Sequence, residues 1–217
     1  VLARLESDNP GRLWGLLKSK HQPKQRDVRL VPFEELAGSL PYPLGFKLRG
    51  LLQAAQRLDE GEPEPQFAFE LCAVMGVLVR LSALITIQGF VASGKQDTQL
   101  NHAIMEKLRT PSDGGWMEVA TRLSKALKSA DSPLAQRVGT AFSEKPKVEA
   151  SVKSLAKTPT TAKALEALIR FRNELVHGEA ISAERLQQAR AQLQVAIRGF
   201  AWLAEYRLEV RHGGATW

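Results

Sequence analysis

A single cysteine, Cys72, lies inside an apolar run of this 217-residue chain, so no disulfide framework exists and a reducing cytoplasm is the expected compartment. Aromatic residues are scarce at 6%, and only Val28 to Val31 reads as a strand. Those two shortages argue against a β-sandwich. No charged-then-apolar leader with a small-residue cleavage site is visible, which leaves secretion without support. Missing too are a Cys/His cluster, a Gly-rich phosphate loop ahead of a helix, and a Gly-x-Ser-x-Gly elbow. Metal, nucleotide-loop and hydrolase chemistries therefore have no motif, and no metal or other cofactor is expected. Gly89 to Gly94 with Lys95 lacks both the preceding strand and the Gly-Lys-Ser/Thr order of a phosphate loop. There is no internal repeat and no low-complexity tract. The chain opens on valine, as expected of a processed chain or of a piece of a longer protein.

What is present is ordinary globular material: 44% hydrophobic and 24% charged residues, enough for one large domain or a domain with a satellite. Long Ala/Leu/Arg/Gln/Glu-rich runs favour an all-α bundle. The net charge of +7 leans toward polyanionic partners. Its distribution says more. Lys18, Lys20, Lys24, Arg26 and Arg29 crowd a segment whose one acid is Asp27, and a second basic stretch runs from Arg122 to Lys157. Each has the alternative reading of a solvated face or loop. Asp59, Glu60, Glu62 and Glu64 form the one acidic cluster.

Residues 1–45 read as an irregular basic segment punctuated by Pro10, Pro23, Pro32, Pro41 and Pro43, with room for short helices such as Arg12 to Lys18 and Phe33 to Ala37. Residues 46–217 read as one helical bundle domain. Phe46, Leu48, Leu51, Leu52, Ala55 and Leu58 recur at helical spacing. After the break at Gly61 to Pro65, Gln66 to Ala92 is apolar on nearly every face and long enough to span a membrane. Arg80 near its middle would cost about 2.5–3.5 kcal/mol there, so a central buried helix is expected and no membrane partner. Helices follow at Gln99 to Leu108 and Trp116 to Lys128, separated by a turn through Thr110 to Gly115, with Trp116 as a core anchor. Ser132-Pro133 and Thr158-Pro159 read as caps followed by proline, each opening a helix. Lys145 to Ala156 is weakly patterned. Gly178 ends the second of those helices, and Ser182 caps the last one.

The helix that ends at Gly178 carries the chemistry. Leu165, Leu168, Ile169, Leu175 and Val176 all fall within roughly 60° of Arg172 on a helical wheel. An arginine there cannot shed its proton, and bare burial costs several kcal/mol, so an anion must meet it. A carboxylate inside the fold, with Glu70 the first candidate, would make Arg172 structural; a phosphate from outside would make it functional. Glu166, Arg170, Asn173 and His177 form a polar edge within about 60° of one another. Arginine offers bidentate phosphate contact, histidine moves a proton near neutral pH, and asparagine orients either. The next helix N-terminus lies a few residues on and suits an anion, although Glu179 and Glu184 oppose one. His102, in a mostly polar helix, reads as a surface residue, and His21 and His212 carry no argument.

Arg172, Asn173 and His177, spaced Arg-Asn-x-x-x-His within a helical hairpin at 158–210, resemble the signature of the HEPN superfamily. The resemblance covers about a quarter of the chain. It implies a helical bundle that dimerises, so that paired motifs build one composite site. It also implies metal-independent RNA cleavage leaving a cyclic 2′,3′-phosphate, in bacterial defence, toxin action or stress response. Arg172 would stabilise the scissile phosphate, His177 would exchange the proton, and Asn173 would orient either. The expected RNA-binding residues are Lys18, Lys20, Lys24, Arg26, Arg29 and Arg170, and an antitoxin or a fused effector domain is the further partner implied. Many HEPN domains have lost catalysis, so a non-catalytic interaction or regulatory module of a larger effector stands as the alternative.

Overall fold

The computed structural model describes residues 33–60, 64–127, 133–157, 159–206, 211–212 and 215–216. It is an all-α bundle, with nine α-helices among the described residues. They are α1 (Phe33–Ser39), α2 (Tyr42–Asp59), α3 (Glu64–Ala92), α4 (Thr98–Arg109), α5 (Asp113–Ala126), α6 (Pro133–Ser143), α7 (Ala150–Leu155), α8 (Thr161–Val176) and α9 (Ala183–Gly199). A 3₁₀ turn (Ala201–Glu205) and a two-residue antiparallel pairing of Arg211–His212 with Ala215–Thr216 follow. The basic cluster from Lys18 to Arg29 and the Val28 to Val31 strand lie outside the described residues, as do Ser132 and Thr158.

The bundle is built around α3, which packs most extensively on α5 and α2 and also touches α6, α8 and α9. Leu71, Val74, Met75, Leu78, Val79 and Ala83 are fully buried. Ser82 and Thr86, polar residues inside this helix, are satisfied by bonding back to the carbonyls of Leu78 and of Ser82 and Ala83. The expected all-round burial is only half met. Phe69, Leu84 and Val91 stay exposed along one stripe, from which Arg80 reaches to Asp113 of α5. The window Pro65–Ala92 is long and apolar enough to cross a membrane by length and composition, and half of it is buried inside the bundle.

The boundary expected at residue 45 moves back. Leu36, Ala37, Leu40 and Leu44 belong to the core, because Pro41 and Pro43 do not break the chain here. Pro41 caps α2 and Pro43 sits in its first turn, where a missing amide hydrogen costs nothing. Near the other end, α8 and α9 form the expected antiparallel hairpin. Its helix begins two residues later than read, with Thr160 Oγ1 accepting from the Lys163 amide as the cap. Phe171 and Phe200 are fully buried in the hairpin region, and Phe200 meets Phe142 edge-on at 5.8 Å. Arg137 ties α6 to the 3₁₀ turn through Glu205 and the Tyr206 hydroxyl, while lying over the Trp202 ring.

Candidate functional site

Helix α5 decides the surroundings of Arg172. The stretch Thr110 to Gly115 was expected to be a turn, and instead the helix starts inside it. Ser112 Oγ accepts from the Gly115 amide at 3.0 Å, so Asp113, Gly114 and Gly115 make up the first turn. That places Asp113 against α3 and α8, with a side chain only 8% exposed. Arg80 donates from Nη2 to Asp113 Oδ1 at 3.2 Å. Arg172 Nε stands 3.8 Å from Asp113 Oδ2, an ion pair beyond hydrogen-bonding reach. Two guanidiniums thus share one buried carboxylate, which leaves one positive charge unmatched within the cluster.

Three expectations are corrected here. Arg172 is not sunk among leucines: its side chain is 41% exposed. The stripe around it is buried at Leu165 and Leu168, part-buried at Ile169 and Leu175, and exposed at Val176, because the last turn of α8 runs past its neighbours. An external anion is therefore not required to neutralise it. The internal carboxylate is Asp113, not Glu70, which takes a hydrogen bond from Gln66 on its own helix. Asp113 was missed because a Gly-Gly pair after proline reads as a turn; the signal that marks it is Ser112 as a cap with an acid directly behind it.

The remaining motif residues follow the backbone. Asn173 is exposed, and its Oδ1 accepts from Arg172 Nη1 at 3.3 Å. His177 is the C-cap of α8, its amide bonded to the Asn173 carbonyl, and its ring is exposed. Gly178 then takes φ +76°, the left-handed conformation that glycine adopts without penalty. Arg170 is exposed on the opposite side of α8 from the buried leucines. Arg172 and His177 project roughly 140° apart around the axis, so one copy of α8 does not aim both at a single point.

A second clamp closes the hairpin. Arg185, at the start of α9, grips Glu174 with both forks, Nε to Oε2 at 2.9 Å and Nη2 to Oε1 at 2.7 Å, and stacks over Phe171. The Arg185 hydrogen bonds hold the Glu174 carboxyl below the usual range. Behind the cluster lies Cys72, whose thiol burial pushes up to about 11. The Arg172 charge pulls it the other way and Asp113 adds to the rise. No group of three or more His, Cys, Asp or Glu side chains suited to a metal ion exists among the described residues.

Compared with known proteins, the chain matches no family model, no curated protein and no solved structure.

Proposed function

We propose that this chain is a HEPN-type RNA endonuclease that acts as a homodimer without a metal, in bacterial defence, toxin action or stress response. The observation that carries the reading is the open end of α8. Arg172, Asn173 and His177 sit in its last turns, with the Arg172 fork half in solvent inside a cluster that has one positive charge to spare. Cleavage would proceed by attack of a ribose 2′-oxygen on the adjacent phosphorus. Its proton passes to His177, the P–O5′ bond breaks, and the leaving 5′-oxygen takes a proton from water. Arg172 neutralises the charge that builds on the phosphate oxygens. The divergence of Arg172 and His177 on one helix favours a composite site completed by a second copy. In this reading the open stripe of α3 supplies the pairing surface.

His177→Ala is expected to abolish RNA cleavage in the presence of a chelator while the melting temperature stays within a degree or so, since the ring is exposed. Cleavage that survives the substitution, or that needs magnesium, sinks the mechanism.

One observation favours a second reading, a non-catalytic interaction or regulatory module of a larger effector. Arg172 already stands beside a buried internal carboxylate, as a structural arginine would. Arg172→Ala separates the two. A loss of stability with no associated activity marks a structural ion pair; a loss of cleavage with melting preserved marks a catalytic one.

A further inference from the structure

Three helices distant in sequence converge on one carboxylate. Arg80 comes from the middle of α3, Asp113 is the first residue of α5, and Arg172 is near the end of α8. We infer that Arg80 and Arg172 together form a phosphate-binding pair for the RNA backbone, with buried Asp113 as the residue that positions both. This rests on the RNA-cleaving reading above and adds to it a guanidinium from outside the Arg-Asn-x-x-x-His motif.

The donor inventory supports the pair. Each guanidinium carries five N–H groups. Arg80 spends one on Asp113 Oδ1, and Arg172 directs Nη1 to Asn173 while its Nε only approaches Asp113. The Arg80 side chain is 56% exposed, so its remaining donors are open to a ligand. The ion pair lies over the Gly76 backbone, where a Cβ would stand in ordinary contact, 3.6 Å from Asp113 Oδ1 and 3.7 Å from Arg80 Nη2.

Electrostatics then selects the ligand. A carboxylate between two arginines orients both but balances only one of them. A phosphodiester brings one negative charge and oxygens that match two planar forks. Because all three side chains stand on helices, the pair is held ready before RNA arrives.

The test is binding of a short labelled single-stranded RNA to the full chain, followed by fluorescence anisotropy over a range of salt concentrations, with thermal melting of each variant as the folding control. Arg80→Gln is expected to weaken binding roughly tenfold at fixed salt and to reduce the salt slope by about 0.7, the value for one phosphate contact on a single strand. Arg80→Lys keeps the charge and loses the fork. It should retain the wild-type slope and bind with intermediate affinity. Arg80→Gln combined with Arg172→Gln should weaken binding by less than the product of the two single effects, because both act on one phosphate. If Arg172→Gln weakens binding while Arg80→Gln leaves affinity and slope unchanged, the pair is overturned and the RNA reading stands. Multiplicative effects would also overturn it, by placing the two arginines on separate phosphates. If neither substitution moves RNA binding, the pair is overturned; if the wild-type chain itself binds no RNA at any salt concentration, the RNA reading falls.

Discussion

Asp113 is the residue on which the site turns, and it shows how far one side chain can redirect an argument from helical spacing. A wheel places Arg172 among leucines correctly, yet it carries no information about where neighbouring helices stop, so the exposure of the last turn of α8 was not legible. Nor was the carboxylate: its capping serine is visible in the sequence, but the glycines behind it imitate a turn. Cys72 offers a check on this burial that is independent of function. Its thiol ordinarily ionises near 9.0 and in the fold holds its proton to about 11, chiefly because burial disfavours the thiolate. The folded chain thus binds the proton more tightly than the unfolded one. The stability contributed by the neutral thiol is complete below about pH 9 and is lost as pH rises toward about 11. Replacing Cys72 with Ala should therefore flatten part of the fall in melting temperature over that window. Parallel melting curves for the two proteins across it would mean the thiol is open to water.

At the level of the elements, most of the bundle was legible because the signals are local. The Ser182 cap, the Gly178 stop and the apolar spacing of α2 each stand in the right place. Prolines misled where they stand at a helix start, as Pro41 does at the N-cap and Pro43 in the first turn of α2. What spacing cannot report is how closely two helices approach. Gly199, the last residue of α9, lies against the buried Thr161 at the start of α8. A Cβ there would overlap Thr161 Oγ1 and stand 2.7 Å from its Cγ2. Thr161 is also fixed from behind, its amide donating to the Glu144 carbonyl at 3.0 Å, so it has little room to yield. Gly199→Ala should destabilise the protein by about 1–3 kcal/mol despite alanine's better helix propensity. For a chain of this size that is a fall of roughly 2–4 °C per kcal/mol, measured by circular dichroism. An unchanged melting temperature would show that the crossing opens at no cost.

For the molecule as a whole, the open stripe of α3 is the feature that composition pointed to and patterning left unresolved. A helix apolar on nearly every face was expected to be enclosed, and the described elements enclose it on all sides but one. If two copies pair along that stripe, Leu84→Glu should convert the dimer to a monomer in sedimentation equilibrium, with the monomer's fold intact because Leu84 is exposed. A wild-type chain that sediments as a monomer at every concentration would dismiss pairing through α3. Chain separation within one copy carries a last consequence. The Arg185 clamp joins residues 11 apart, whereas Arg80 and Asp113 are 33 apart, and Arg172 reaches Asp113 from yet farther along the chain. Loop closure costs more for each longer span, so the hairpin can assemble early and by itself, while the joint between arginines and carboxylate is made only when the whole bundle has docked. A fragment holding α8 and α9 would therefore keep every residue of the motif and lack the counter-charge that aims it.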